Sequence, residues 1–107
     1  MQLTSFLDNR ELTILLTGEI DHHYAKKYID NITSKIEAYT PAVCILDFCE
    51  VTFMDSSGIA VVINALRCIT KMHGTLMLSG LNAQPMRIFK MAGVDKLVKI
   101  KEVKNEV

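Results

Sequence analysis

The hydrophobic positions alternate along the chain between a period of about two residues and a period of about 3.6, and that alternation predicts the order of elements. Leu3 to Leu7 and Glu11 to Thr17 read as two short strands. Asp8, Asn9 and Arg10 lie between them. Asp and Asn tolerate turn geometry, so the pair is expected to form an antiparallel hairpin. Gly18 is expected to break the second strand and Asp21 to be the N-cap of a helix from His22 to Tyr39. In that segment Ala25, Tyr28, Ile29, Ile32 and Ile36 fall at helical spacing, while Lys26, Lys27, Asp30, Lys35 and Glu37 take the wet side. Thr40-Pro41 should end it, because a residue before proline avoids the helical region.

Val43 to Phe48 is a nearly continuous apolar run, as in a central strand buried on both faces. A loop is expected from Cys49 to Met54. Ser56 to Met72 follows. Its Ala60-Val61-Val62-Ile63 stretch is rich in β-branched residues and would suit a strand. The periodicity decides for a helix: Ile59, Val62, Ile63, Leu66 and Ile69 share one face, and Asn64, Arg67 and Lys71 another. Gly74 is the expected stop. Thr75 to Ser79 reads as a strand. Pro85 to Ala92 reads as a short helix with Pro85 in its first turn and Gly93 at its end. Leu97 to Ile100 reads as a last edge strand, with Lys96, Lys99 and Lys101 discouraging aggregation. The order β-β-α-β-α-β-α-β predicts a single α/β domain over residues 1–107. Its sheet is mixed: a parallel centre carrying the N-terminal hairpin, with the helices packed against it.

Composition narrows the function. Twelve Lys and Arg balance twelve Asp and Glu, so the net charge is zero. No broad basic field is expected to attract nucleic acid or a membrane surface. Met1 to Leu7 lacks a basic start and a long apolar run, and no stretch approaches about 18 apolar residues, so the chain is expected to be cytoplasmic. Cys44, Cys49 and Cys68 are odd in number and form no C-x-x-C pair, which argues against a disulfide framework or a zinc site. Cys44, within an apolar run, is expected to be a buried free thiol, as a reducing compartment allows. Met72, Met77, Met86 and Met91 are expected to fill the core. No cofactor or metal is expected.

The segment Phe53-Met54-Asp55-Ser56-Ser57-Gly58 stands between a strand and an amphipathic helix, where α/β folds place function. A helix start offers unpaired N–H groups and a partial positive charge. Either Asp55 or Ser56 can cap it, worth about 1 kcal/mol. Ser56 can also carry a phosphate, adding about −1.5 to −2 charges that a helix N-terminus tolerates. A partner packed on this loop would not tolerate them, because burying an unpaired dianion costs several kcal/mol. The residues Asp21, His22, Met54, Asp55, Ser56, Ser57, Gly58 and Ile59 are expected to share one partner-binding face. Met54 and Ile59 would supply apolar contact, with core packing an equal alternative for Met54.

Thr17-Gly18-Glu19-Ile20-Asp21-His22-His23 and Phe53-Met54-Asp55-Ser56-Ser57-Gly58 resemble two motifs of the STAS-domain anti-sigma factor antagonists, closest to the sporulation type. Met91-Ala92-Gly93-Val94 is similar to a third segment of that family. The resemblance spans nearly the whole chain. It implies a regulator of transcription by partner switching. Unphosphorylated, such a protein binds an anti-sigma factor that is also a serine kinase and so frees the sigma factor. The kinase phosphorylates the first serine of D-S-S-G, which falls here on Ser56, and a serine phosphatase reverses it. The resemblance also gives Asp55 the shaping of the phosphoacceptor loop and Asp21 a place on the same face. The kinase supplies ATP and magnesium. The family continues into a C-terminal helix; here only Glu102 to Val107 follow the last apolar run, so that helix is expected to be short or absent.

Three rival readings stand beside this one. As an enzyme, the chain would use Ser56 or Ser57 as nucleophile with His22, His23 or His73 as base, but no G-x-S-x-G elbow exists. His22-His23 is better read as a wet helix start whose adjacent rings point apart. As a phospho-aspartate receiver it would use Asp47 at the end of an apolar strand. Glu19 and Asp21 follow the second strand instead of the first, however, and the strand that should precede a lysine ends in Ser79-Gly80. The third rival is a STAS interaction module of another signalling assembly.

Overall fold

The computed structural model describes residues 2–101. The elements are β1 (Gln2–Asp8), β2 (Glu11–Ile20), α1 (Ala25–Tyr39), β3 (Val43–Met54), α2 (Ser57–Lys71), β4 (Thr75–Ser79), α3 (Ala83–Ala92), a single 3-10 turn (Val94–Lys96) and β5 (Lys99–Lys101). The strands lie in the order β1-β2-β3-β4-β5. β1 is antiparallel to β2, and every other neighbouring pair is parallel. The mixed α/β sheet with its opening hairpin is therefore as the hydrophobic pattern predicts. The position of the family's C-terminal helix lies outside the described residues.

The hairpin closes on Asn9 and Arg10, with φ of 50° and 67°. Two left-handed central residues make the turn whose twist matches paired strands. Arg10 also anchors the next connection: its carbonyl accepts from Ala42 N–H at 2.8 Å, and its guanidinium donates to the Thr40 carbonyl at 3.1 Å.

Register puts Leu12, Cys44 and Leu76 in one row and Ile14, Leu46 and Leu78 in the next. All six are buried. Tyr28, Ile32 and Ile36 of α1 and Val61, Val62, Ala65 and Ile69 of α2 join them in one core. From α3, Phe89 meets Phe48 edge-on, with ring centroids 5.5 Å apart. The buried face of α2 is thus centred on Val61, Val62, Ala65 and Ile69, with Ile59, Ile63 and Leu66 at its margins. Tyr28 is fully buried, but its hydroxyl donates to the Thr17 carbonyl at 2.9 Å, so no polar group is stranded. Cys44 is the buried free thiol expected; burial, with Cys68 a lesser cause, pushes its pKa up to about 12.

Several boundaries differ from the pattern-based reading. β2 does not stop at Gly18. It shifts register at Leu15/Thr17 and again at Gly18/Glu19, and runs on to Ile20. Gly18, at φ 102°, absorbs that irregularity. The expected loop Cys49 to Met54 is strand, because the extended end of β2 pairs with it as far as Ile20↔Met54. α1 begins at Ala25, three residues later than expected. It ends at Tyr39, where Thr40-Pro41 is expected to stop it, with Thr40 in the left-handed region at φ 42°. α2 ends with Gly74 N–H on the Ile69 carbonyl and His73 N–H on the Thr70 carbonyl. The left-handed position in that motif is His73, φ 62°, and not Gly74. The last strand is Lys99–Lys101, because Val94–Lys96 coil into the 3-10 turn. Met91 is 84% exposed and fills no core. Among the described residues no helix is long and apolar enough to cross a membrane.

Candidate functional site

Among the described residues β1 pairs no further along β2 than Thr17, and β4 no further along β3 than Asp47. The segments Gly18–Ile20 and Val51–Met54 therefore run on together as a two-stranded extension of the sheet. Its tip brings two chain turns side by side: Asp55 N–H donates to the Ile20 carbonyl at 3.0 Å. The T-G-E-I-D-H-H and F-M-D-S-S-G segments, about 35 residues apart in the chain, meet there because their strands are neighbours.

Each turn is organised by its aspartate. The Asp21 Oδ1 accepts from the N–H groups of His23 at 3.0 Å and Tyr24 at 3.2 Å. The Asp21 carbonyl accepts from Tyr24 and Ala25. Asp21 thus caps a turn, His22–Tyr24, that leads into α1, instead of capping the helix itself. His22 and His23 lie in this turn and not on a helical surface. Their rings stack, with centroids 4.7 Å apart and 24° between planes, where rings pointing apart are expected from a helix start.

At the second turn, Asp55 Oδ1 accepts from Ser57 N–H at 2.8 Å, and the Asp55 carbonyl accepts from Gly58 N–H. The Ser57 N–H is the main cause that holds the Asp55 carboxyl below the usual carboxylate range; the Ser57 hydroxyl and the His22 backbone and ring add to it. Asp55 therefore does the capping. Ser56, at φ −64° and ψ −13°, makes no side-chain cap hydrogen bond and is exposed. The two serines of the motif divide accordingly: Ser57 supplies an N–H to the cap, and Ser56 presents its hydroxyl to solvent.

Beneath the turn, Met54 is fully buried, so of its two expected roles, surface contact and core packing, it takes the second. Its side chain lies against the α carbon of Gly58: a β carbon there would come 2.6 Å from Met54 Cγ and closer still to the sulfur. The pair seats the start of α2 directly on the end of β3. Met54 N–H donates to Gln84 Oε1 at 3.1 Å, tying the strand end to the first turn of α3. Gln84 is a positioning residue that no motif or spacing singles out. Phe53, 43% exposed, and Tyr24, 38% exposed, add aromatic surface beside the tip. Phe53 was legible as part of the motif, but a strand end that leaves it outward was not.

Asp21, His22, Asp55, Ser56 and Ser57 thus come together at the surface, with Met54 and Gly58 under them and Ile59 half-buried at the edge. Asp47 is elsewhere. It sits within β3, opposite Ser79, and its Oδ1 accepts from Cys49 N–H at 3.0 Å, a local bond two residues along its own strand. Among the described residues no group of three His, Cys, Asp or Glu is placed to hold a metal ion.

A model of the STAS domain matches residues 7–107. The chain is 30% identical over 103 residues to the anti-sigma-B factor antagonist of Listeria monocytogenes, across 94% of this chain and 87% of that protein. It is 28% identical over 96 residues to the anti-sigma F factor antagonist of Paenibacillus polymyxa, across 90% of this chain and 80% of that protein. Among solved structures, the anti-sigma factor antagonist SpoIIAA in its unphosphorylated form has the same fold, with a TM-score of 0.81 at 23% identity over 97% of this chain and 90% of that one.

Proposed function

This chain belongs to the STAS-domain family, and from that premise we propose that it is a cytoplasmic anti-sigma factor antagonist controlled by phosphorylation of Ser56. Unphosphorylated, it binds an anti-sigma factor with serine kinase activity, and the sigma factor held by that protein is released. Transfer of a phosphoryl group from the kinase's ATP to the Ser56 hydroxyl ends the binding, and a serine phosphatase restores it. The observation that carries this reading is the exposed Ser56 hydroxyl at a helix start already capped by Asp55.

The geometry supports a switch that leaves the fold intact. Because Ser56 makes no cap bond, its hydroxyl can be esterified without uncapping α2. The phosphate then stands at a helix N-terminus, which favours an anion. It also stands beside the Asp55 carboxylate. A partner covering this tip would have to desolvate two neighbouring negative groups, at a cost of several kcal/mol. About 4 kcal/mol corresponds to roughly a thousandfold loss of affinity. The exposed face of the interface is formed by Asp21, His22, Asp55, Ser56, Ser57 and Ile59. Met54 and Gly58 act through the backbone they hold.

The test is intact mass and site mapping after incubation with an anti-sigma factor and ATP, comparing the native chain with Ser56→Ala. An anti-sigma-B and an anti-sigma-F factor are both tried, since antagonists of both kinds are related to this chain. One phosphate on the native chain, mapped to Ser56 and absent from the variant, is expected. Phosphate on Ser57 in both proteins, or no binding to either factor, would overturn the reading in favour of a STAS module of another assembly.

A further inference from the structure

The two edges of the sheet differ. Among the described residues β5 is three residues long with a lysine at each end. Short length and lysines are means by which an edge is kept from pairing with another chain. β1 has neither. Its ladder to β2 runs without a register shift from Gln2↔Thr17 to Asp8↔Glu11. It contains no lysine or proline, and its first charged residue is Asp8. Phe6 and Leu7 are 60% and 49% exposed, and as successive strand residues they point to opposite faces.

The turn fixes which backbone groups of β1 are unpaired. A two-residue turn makes the flanking Asp8 and Glu11 a hydrogen-bonded pair, and hydrogen-bonded and non-bonded positions alternate from there. Thr4 and Phe6 therefore bond inward to β2. Leu3, Ser5 and Leu7 turn their N–H and C=O groups outward.

We propose that this edge pairs with the same strand of a second copy, antiparallel, about a two-fold axis at Ser5. That register sets Ser5 opposite Ser5, Leu3 opposite Leu7 of the second copy, and Thr4 opposite Phe6 of the second copy. Every facing pair joins residues of the same parity, so outward groups meet outward groups and each side chain keeps its face. Three facing pairs give about six backbone hydrogen bonds, two per pair. Leu3 and Leu7 of the two copies cover one another on one face, and Phe6 lies over Thr4 on the other. Charge does not oppose the contact: the chain has zero net charge and residues 3–7 carry none. The two five-stranded sheets become one continuous sheet. A contact confined to an edge buries less than a standard stable interface, so the dimer is weak and concentration-dependent. Among the described residues β1 reaches no further than Thr17, so the tip bearing Ser56 stays open in the dimer.

The experiment is register-specific cross-linking. In a Cys49→Ser, Cys68→Ser background, Ser5→Cys is expected to form a disulfide-linked dimer under mild oxidation with diamide, because facing residues of a bonded pair lie about 5.5 Å apart at Cα, within disulfide reach. Thr4→Cys, which faces Phe6 of the second copy, is expected to stay single. Sedimentation of the native, reduced chain from micromolar to millimolar concentration should show the average mass rising from one chain toward two, and Leu7→Lys, at a half-exposed position, should remain at one chain throughout. A single-chain mass for the native protein over the whole range overturns the dimer. A dimer in which Ser5→Cys fails to cross-link, or Thr4→Cys cross-links equally, overturns the register, and with it the second copy's pairing on this edge.

Discussion

The Asp55 carboxylate accepts the Ser57 backbone N–H at 2.8 Å, and this bond leaves the hydroxyl between them, on Ser56, without a structural duty. A serine at that position is favoured because its side chain can cap the helix. Here the cap comes from one residue earlier, which separates stability from modification.

The separation is measurable by urea denaturation. Asp55→Ala should cost about 1 kcal/mol, the usual worth of a side-chain cap. Asp55→Asn should recover most of it, since the amide oxygen still accepts. Ser56→Ala should fall within about 0.5 kcal/mol of the native chain, as substitutions at unengaged surface positions do. Equal losses for Asp55→Ala and Ser56→Ala would mean that the cap is shared.

The Asp55 carboxyl is held below the usual carboxylate range chiefly by the Ser57 N–H. The folded state therefore takes up this proton at lower pH than the unfolded chain. Its contribution to stability is complete above the ordinary aspartate value and fades as pH falls through the lower, folded-state value. A carboxyl-detected NMR titration should place Asp55 below an unperturbed aspartate. Phosphorylated Ser56 should move it upward, because a neighbouring dianion disfavours the carboxylate. A downward or absent shift would show that the phosphate points away from Asp55.

Met54 and Gly58 form a matched pair. A β carbon at position 58 would meet Met54 Cγ at 2.6 Å, so Gly58→Ala should destabilise the domain by about 1–3 kcal/mol through overpacking. Met54→Ala alone should cost about 2–5 kcal/mol by leaving a cavity. The double variant should lose less than the sum, because the added methyl enters the space the truncation leaves. Additive losses in a double-mutant cycle would rule out direct contact.

Gln84 accepts from Met54 N–H at 3.1 Å. Gln84→Ala should lower stability by about 0.5–1.5 kcal/mol and raise the hydrogen-exchange rate of the Met54 amide above that of its strand neighbours. An unchanged Met54 rate would mean that the amide is protected by something other than Gln84.

What the sequence determined by itself is local. Asp8-Asn9-Arg10 between two short apolar runs was enough for the hairpin, since turn chemistry acts over a few residues; the structure narrows the turn to Asn9 and Arg10. The Tyr28, Ile32 and Ile36 stripe set the buried face of α1, since periodicity is a property of the segment. The D-S-S-G motif marked the start of α2 for the same reason. The tertiary structure decided everything that depends on which strand lies beside which. Cys49 to Met54 mixes polar and apolar residues and is strand only because β2, after its irregularities, continues beside it. Met54 went into the core and Phe53 to the surface because strand alternation, not the motif, assigns their sides. The choice of Asp55 over Ser56 as cap, the stacking of His22 on His23 and the reach of Gln84 to Met54 were all beyond the sequence. The first depends on backbone angles at one turn, and the others on which atoms packing brings within bonding distance.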